Sequence, residues 1–133
     1  MNNQPAIFSP VQWKWIVQAI EYFKQGNKLL YFYTGSYGIV NAENLEVKNI
    51  YFKAKDENFI IAVAEFVDMV TENPKEYRLP SSTEVKGKYY YGFKNFRLLE
   101  DKIPLKKLNH YQTNSILRND TPGVCIVNEP IVK

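Results

Sequence analysis

At 133 residues, 45% hydrophobic and 23% charged, the chain has material for one domain with its own core, and its composition excludes a disordered or fibrous protein. A net charge of +3 points mildly to an anionic partner. One cysteine and one histidine exclude an intrachain disulfide and a Cys/His zinc site, which leaves packing to hold the fold.

The first predicted element is a helix. Ser9 reads as its N-cap, Pro10 as its first helical residue and Gln12 as the return partner of a Ser-x-x-Gln capping box. Val11, Trp15, Ala19 and Phe23 follow at four-residue spacing with Ile16 and Ile20 beside them, an apolar stripe that Gly26-Asn27 ends. Trp13 lies off the stripe, either packed on a second neighbour or held out for a ligand. Leu29 to Tyr33 is a near-continuous apolar run and reads as an interior strand, broken at Thr34-Gly35-Ser36-Tyr37-Gly38. One or two strands are predicted between Ile39 and Phe52, then a hairpin turn at Asp56-Glu57-Asn58 and a long strand from Phe59 to Val70.

Residues 71–83 form the longest predicted loop, a natural binding element over a rigid sheet. Lys88 to Leu99 is the next strand, with Gly92 marking a β-bulge, and a short helix opens at Pro104. The remainder, through Val124-Cys125-Ile126-Val127 to Glu129-Pro130, reads as the end of a domain cut at a linker, with further domains beyond Lys133. One long helix, five or six strands and no βαβ alternation predict a single α+β domain over 1–133, a curled sheet or small β-barrel of five to six strands flanked by helices.

Few residues suit covalent or metal chemistry. His110 has no serine or cysteine elbow to serve, and Cys125, among Val124, Ile126 and Val127, reads as a buried inert thiol. Asp68 with the triplet Glu84-Val85-Lys86 matches a nuclease arrangement, two carboxylates on Mg²⁺ and a lysine assisting the attacking water. So short a triplet is common on any charged strand edge, however, and the solvated edge is the preferred reading. Gly35-Ser36-Tyr37-Gly38 has GxxG spacing but follows a strand, and no Walker-type lysine comes after it. It presents Thr34, Ser36 and Tyr37 to a ligand, or it is a plain β-turn. No catalytic residue, metal or cofactor is therefore expected. The chain reads as a binding module, with any GTPase or nuclease activity in other domains or subunits. With no secretory leader pattern and no apolar run near 20 residues, the expected compartment is the cytoplasm and no membrane partner is expected.

The cations are unevenly spread. Between Glu84 and Lys107 seven basic residues face three acidic ones, and this net +4 exceeds that of the whole chain. Interleaved with Tyr89, Tyr90, Tyr91 and Phe93, they combine phosphate attraction with flat faces for stacking bases. The plainer alternative is a solvated strand with snorkelling lysines.

The order of segments adds a resemblance. Tyr33-Thr34-Gly35-Ser36 ends one strand; Ile60-Ile61-Ala62-Val63-Ala64-Glu65-Phe66-Val67 is another; Val85-Lys86-Gly87-Lys88-Tyr89, Phe96-Arg97-Leu98-Leu99 and Lys102-Ile103-Pro104-Leu105 follow. In this order they resemble the PUA-like superfamily, particularly its EVE and YTH branches, with their G-x-A-E strand, K-G-aromatic strand entry and P-I-P-L type helix start. Tyr111-Gln112-Thr113-Asn114-Ser115 and Arg118-Asn119-Asp120-Thr121 are similar to a T-N-S…R-D-T stretch of YTH domains. The resemblance covers residues 28–125 and implies an aromatic-walled pocket for a flipped, modified base. It also implies a setting, the N-terminal specificity domain of an McrB-type modification-dependent restriction system that reads DNA.

The family pocket is generally walled by tryptophans from strand and loop positions. Here Trp13 and Trp15 both lie on the first helix, and the corresponding loop offers Leu79. The expected base-binding residues are therefore Tyr33, Thr34, Ser36 and Tyr37 at the loop, Tyr89 and Tyr91 opposite, and Trp13. Lys86, Lys88, Lys94, Arg97 and Arg118 are expected to hold phosphates. An RNA-binding module of the same fold, a metal-dependent nuclease and a protein-interaction domain are the alternatives.

Overall fold

A run that is apolar on both faces suits an interior strand, and the one from Phe59 to Val70 lies in the middle of this sheet. The computed structural model describes residues 4–34, 42–72, 74, 89–111 and 123–130. Strand β1 is Pro5–Val11, helix α1 Trp13–Lys24, β2 Leu30–Thr34, β3 Asn49–Ala54, β4 Phe59–Val70, β5 Tyr89–Pro104 and β6 Cys125–Asn128. The six strands make one mixed sheet in the order β2-β5-β4-β3-β1-β6. β1 runs parallel to β3, and the other neighbours are antiparallel. With one helix, the class is α+β. β2 and β6 stand at the two edges, so among the described residues the sheet is not closed into a barrel.

Every residue of β1 is buried. Its alternation feeds two clusters, because successive side chains leave opposite faces. Ile7 and Val11 pack with Ile16 and Ala19 of α1 and with Phe32, Phe52 and Phe93. Ala6 and Phe8 pack with Tyr51, Ile60, Leu105 and Val127. This overturns the predicted helix start: Ser9 is a buried strand residue, not an N-cap, and α1 begins at Trp13 behind Gln12 with no side-chain cap. The capping pattern lost because it is worth about 1 kcal/mol, whereas residues 5–11 as a strand gain two ladders and two packed faces. Pro10 is tolerated because the ladder to β6 stops at the pair Phe8–Cys125.

Elsewhere the patterns translate directly. The stripe of α1 buries Ile16 and Ala19, and Gly26 takes the left-handed φ of 93° that ends the helix. Asn27 Nδ2 donates to Tyr22 O at 2.9 Å, closing one of the free carbonyls of the last turn. β2 and β4 fall on their predicted runs, but β2, expected as an interior strand, stands at an edge of the described sheet and buries its apolar run by packing rather than by pairing on both sides. The β3–β4 hairpin turns where predicted, and a 3-10 turn, Leu105–Lys107, follows Pro104. β5 continues past Leu99 to Pro104, and β6 is a strand where no element was predicted.

The sheet is irregular between β4 and β5, where the register shifts three times. One shift adjoins Gly92, but the extra residue there is Val67 on β4, because Phe66 pairs with Phe93 and Asp68 with Gly92. A second places the extra residue on β5 at Asn95–Phe96, where Asn95 has a positive φ of 53°.

Candidate functional site

β1 and β2 lie far apart in the strand order, yet their C-terminal ends meet beside the first turn of α1 around a cavity of about 140 Å³. Trp15 and Tyr33 form one aromatic wall, their ring centroids 5.0 Å apart and inclined at 60°. Trp15 also meets Phe32, at 4.8 Å and 62°. Phe32 and Tyr33 leave opposite faces of β2, and β2 is an edge strand among the described residues, so the indole, touching both rings, stands across that edge. Trp15 and Tyr33 touch edge to face, which leaves no slot between their rings.

The polar groups of the cavity are mostly hydroxyls. Tyr91 is wholly buried, and its Oη lies 2.6 Å from the buried Ser9 Oγ. That bond crosses from β5 to β1 and satisfies both hydroxyls. Burial pushes the Tyr91 phenol well above its ordinary pKa, partly opposed by the Ser9 bond, so it stays a neutral donor and acceptor. Thr34, at the end of β2, is also buried and lines the cavity. Gln12 stands at the mouth, with Val11 and Val124 as apolar lining.

Lys55 is the one charged residue lining the cavity among those described. Its main chain is held at both ends: its N–H donates to Val11 O at 2.9 Å, and its carbonyl accepts from Lys53 Nζ at 3.0 Å. Lys53 is itself buried, and its ammonium also donates to Ala54 O at 3.1 Å. Burial lowers the Lys53 pKa from its ordinary value, while Asp56 and Glu57 pull it back up.

The cavity thus gathers three of the predicted base-binding residues, Tyr33, Thr34 and Tyr91. Tyr89 pairs with Thr34 across the β2–β5 ladder, beside the cavity rather than lining it. Tyr91 and Tyr90 are both buried, so their rings belong to the interior rather than to a basic stacking surface. Trp13 is 54% exposed and absent from the cavity. At 100° per residue it stands some 160° round the helix from Trp15, on the flank with Val17 and Ile20. Lys94 is half-exposed and pairs with Glu65 at 3.8 Å. Arg97 borders a separate groove formed by Ile20, Phe23, Phe96 and Leu98, with Lys24 at its rim. Ser36, Tyr37, Lys86, Lys88 and Arg118 lie outside the described residues.

Of the nuclease alternative, Glu84 and Lys86 lie outside the described residues as well, and Asp68 accepts a hydrogen bond from Tyr31 Oη at 2.6 Å. No group of three or more His, Cys, Asp or Glu that could hold a metal occurs among the described residues. None of their helices is long and apolar enough to cross a membrane. Two cavity residues escaped the sequence reading: Trp15 was absorbed into an apolar stripe, and nothing local distinguishes Lys55 from other turn lysines. Ser9, which lies behind the lining as the partner of Tyr91, carried a capping signal.

No family model, no curated protein and no solved structure matches this chain.

Proposed function

We propose that the chain is a nucleic-acid-binding specificity module that takes a flipped, modified base of DNA into the cavity between α1 and the ends of β1 and β2. The observation that carries this reading is the cavity itself: an aromatic wall of Trp15 and Tyr33, uncharged polar side chains at Gln12 and Thr34, one cation and no carboxylate in the described lining. A flat face with a few hydrogen-bonding groups is what an unstacked base requires. Stacking on one aromatic, about 1–3 kcal/mol, offsets much of the few kcal/mol that unstacking costs. The volume suits a single ring, since a cavity of about 150 Å³ accepts benzene.

The PUA-like reading of the fold draws support from the way the sheet bends. Phe32 on β2 and Phe52 on β3 stand 5.9 Å apart between centroids, although β5 and β4 run between their strands. A flat sheet would hold those strands about 14 Å apart, so a curled sheet accounts for the contact. In that reading the chain is not itself an enzyme. It serves as the recognition domain of an McrB-type restriction system in the cytoplasm, with Lys94 and Arg97 among the cations that meet phosphates.

Binding of the chain to a duplex carrying one 5-methylcytosine or N6-methyladenine, compared with the unmodified duplex at several salt concentrations, tests this. A preference for one modified duplex, a steep salt dependence and a loss of about tenfold or more in Tyr33→Leu are expected. Equal, weak binding to all duplexes with no effect of Tyr33→Leu would overturn it, and preference for single-stranded RNA would reassign the module.

A further inference from the structure

We propose that Lys55 is an anion anchor at the mouth of this cavity, so that the site takes a nucleotide, its base against Trp15 and Tyr33 and its phosphate on the Lys55 ammonium. This rests on the base-binding reading above and names a residue outside the basic strand. The cavity's other described polar groups are the neutral Gln12, Thr34, Tyr33 and Tyr91, none of which attracts an anion by charge. Lys55 is exposed, so its ammonium keeps its hydration while its main chain is fixed. The fixing is specific: Val11 O takes the Lys55 N–H, and the buried Lys53 ammonium takes the Lys55 carbonyl. A lysine seated this way starts from the cavity rim instead of a mobile loop, which reduces the ordering cost of holding a phosphate. Asp56 and Glu57 follow in the same turn, but neither lines the cavity.

A nucleotide is the ligand class that satisfies both halves at once. A free base leaves the cation unused, and inorganic phosphate leaves the aromatic wall unused. Lys53 acts here as a positioning residue, through the backbone it holds.

Calorimetric titration of the full chain separates the outcomes. The probes are deoxycytidine, 5-methyldeoxycytidine, deoxyadenosine and N6-methyldeoxyadenosine, their 5′-monophosphates, and inorganic phosphate. At least one monophosphate is expected to bind about tenfold tighter than its nucleoside, and Lys55→Gln to erase that advantage while leaving nucleoside affinity intact. Lys55→Arg retains the advantage, and on duplex DNA Lys55→Gln lowers the salt slope by about one. Equal affinity for nucleoside and monophosphate, or a Lys55→Gln variant with unchanged phosphate preference, overturns the anchor while leaving base binding in place. Inorganic phosphate binding as tightly as the nucleotides also overturns it, since the anion site would then be independent of the base. If no nucleoside or nucleotide binds, the anchor and the base-binding reading both fail.

Discussion

Tyr31, Gly92 and Asp68 are neighbours across β2, β5 and β4, and the Tyr31 ring passes over Gly92 to donate to Asp68 Oδ1 at 2.6 Å. A Cβ at position 92 would stand 2.7 and 2.8 Å from ring atoms of Tyr31 and 3.0 Å from Asp68 Oδ1. On backbone entropy alone alanine would be the more stable residue in a strand. The contacts reverse that sign, because the ring has to leave its hydrogen bond. Gly92→Ala is expected to destabilise the fold by about 2–4 kcal/mol, from overpacking and the lost charged hydrogen bond. Urea unfolding measures it, and the cost should shrink in a Tyr31→Ala background. A stabilised Gly92→Ala variant would show that the ring is not held there. In the sequence the glycine reads as a bulge, and a register shift does adjoin it. Its second role, yielding space to a side chain two strands from its acceptor, has no local signature.

At the scale of elements, the short edge strand β6 depends on the residue just beyond its end. Glu129 accepts from Asn49 Nδ2 at 2.9 Å and from Tyr51 Oη, and its N–H donates to Gln4 O at 2.7 Å. One residue therefore ties the C-terminal segment to β3 and to the entry of β1. The four residues of β6 pair with β1 on one side and are bridged on the other, where Tyr111 N–H donates to Ile126 O at 3.1 Å and Asn128 N–H to Asn109 O at 2.9 Å. The Glu129 side chain adds a third tie at the end of so short an element. Glu129→Ala leaves the Tyr51 hydroxyl without its acceptor, at a cost of about 1–3 kcal/mol. Amide exchange of Cys125–Asn128 is expected to accelerate about tenfold or more, while the centre of β4 and β5 keeps its protection. Uniform acceleration would mean that β6 opens only with the whole sheet. The sequence presented this tail as an ending without structure. Its alternation is only four residues long, and its partner strand carried a competing helix signal.

For the whole molecule, protons on buried and half-buried groups set the response to base; Cys125, expected as a buried thiol, is half-buried at the sheet edge. Burial raises the Cys125 thiol to about 11, and raises the Tyr91 and Tyr51 phenols above their ordinary values, Tyr51 with the added effect of Glu129. Each of these groups is neutral when protonated and favours that form in the folded state. As pH rises past the unfolded values, from about 8.5 for Cys and 10 for Tyr, the unfolded chain releases protons that the folded chain retains. Stability therefore falls with rising pH. Lys53, lowered by burial, contributes with the opposite sign and offsets part of the loss. The urea midpoint is expected to hold level between about pH 7 and 8 with respect to these groups and to drop steadily above about pH 9. Cys125→Ala should remove the earliest part of the drop, and an unchanged pH profile in that variant would assign the drop to the tyrosines alone.

What the sequence determined by itself was whatever depends on near neighbours. The period of α1, its stop at Gly26, the runs of β2 and β4, and the hairpin between β3 and β4 all come from spacing and turn chemistry within a dozen residues. These were enough for the α+β class and for placing Tyr33 and Thr34 at a strand end. Tertiary structure decided the rest by long-range gain. Ser9-x-x-Gln12 is a sound capping box in isolation, but residues 5–11 have β3 on one side and β6 on the other, some forty and more than a hundred residues away. Burial on two faces outweighs a cap. The same long-range pairing brings Ser9 to Tyr91 and Lys55 to Val11, and sets Trp15 rather than Trp13 against the cavity. A cavity lined by the ends of β1 and β2 and by α1 has no sequence pattern of its own, because its walls are adjacent only after the sheet has formed.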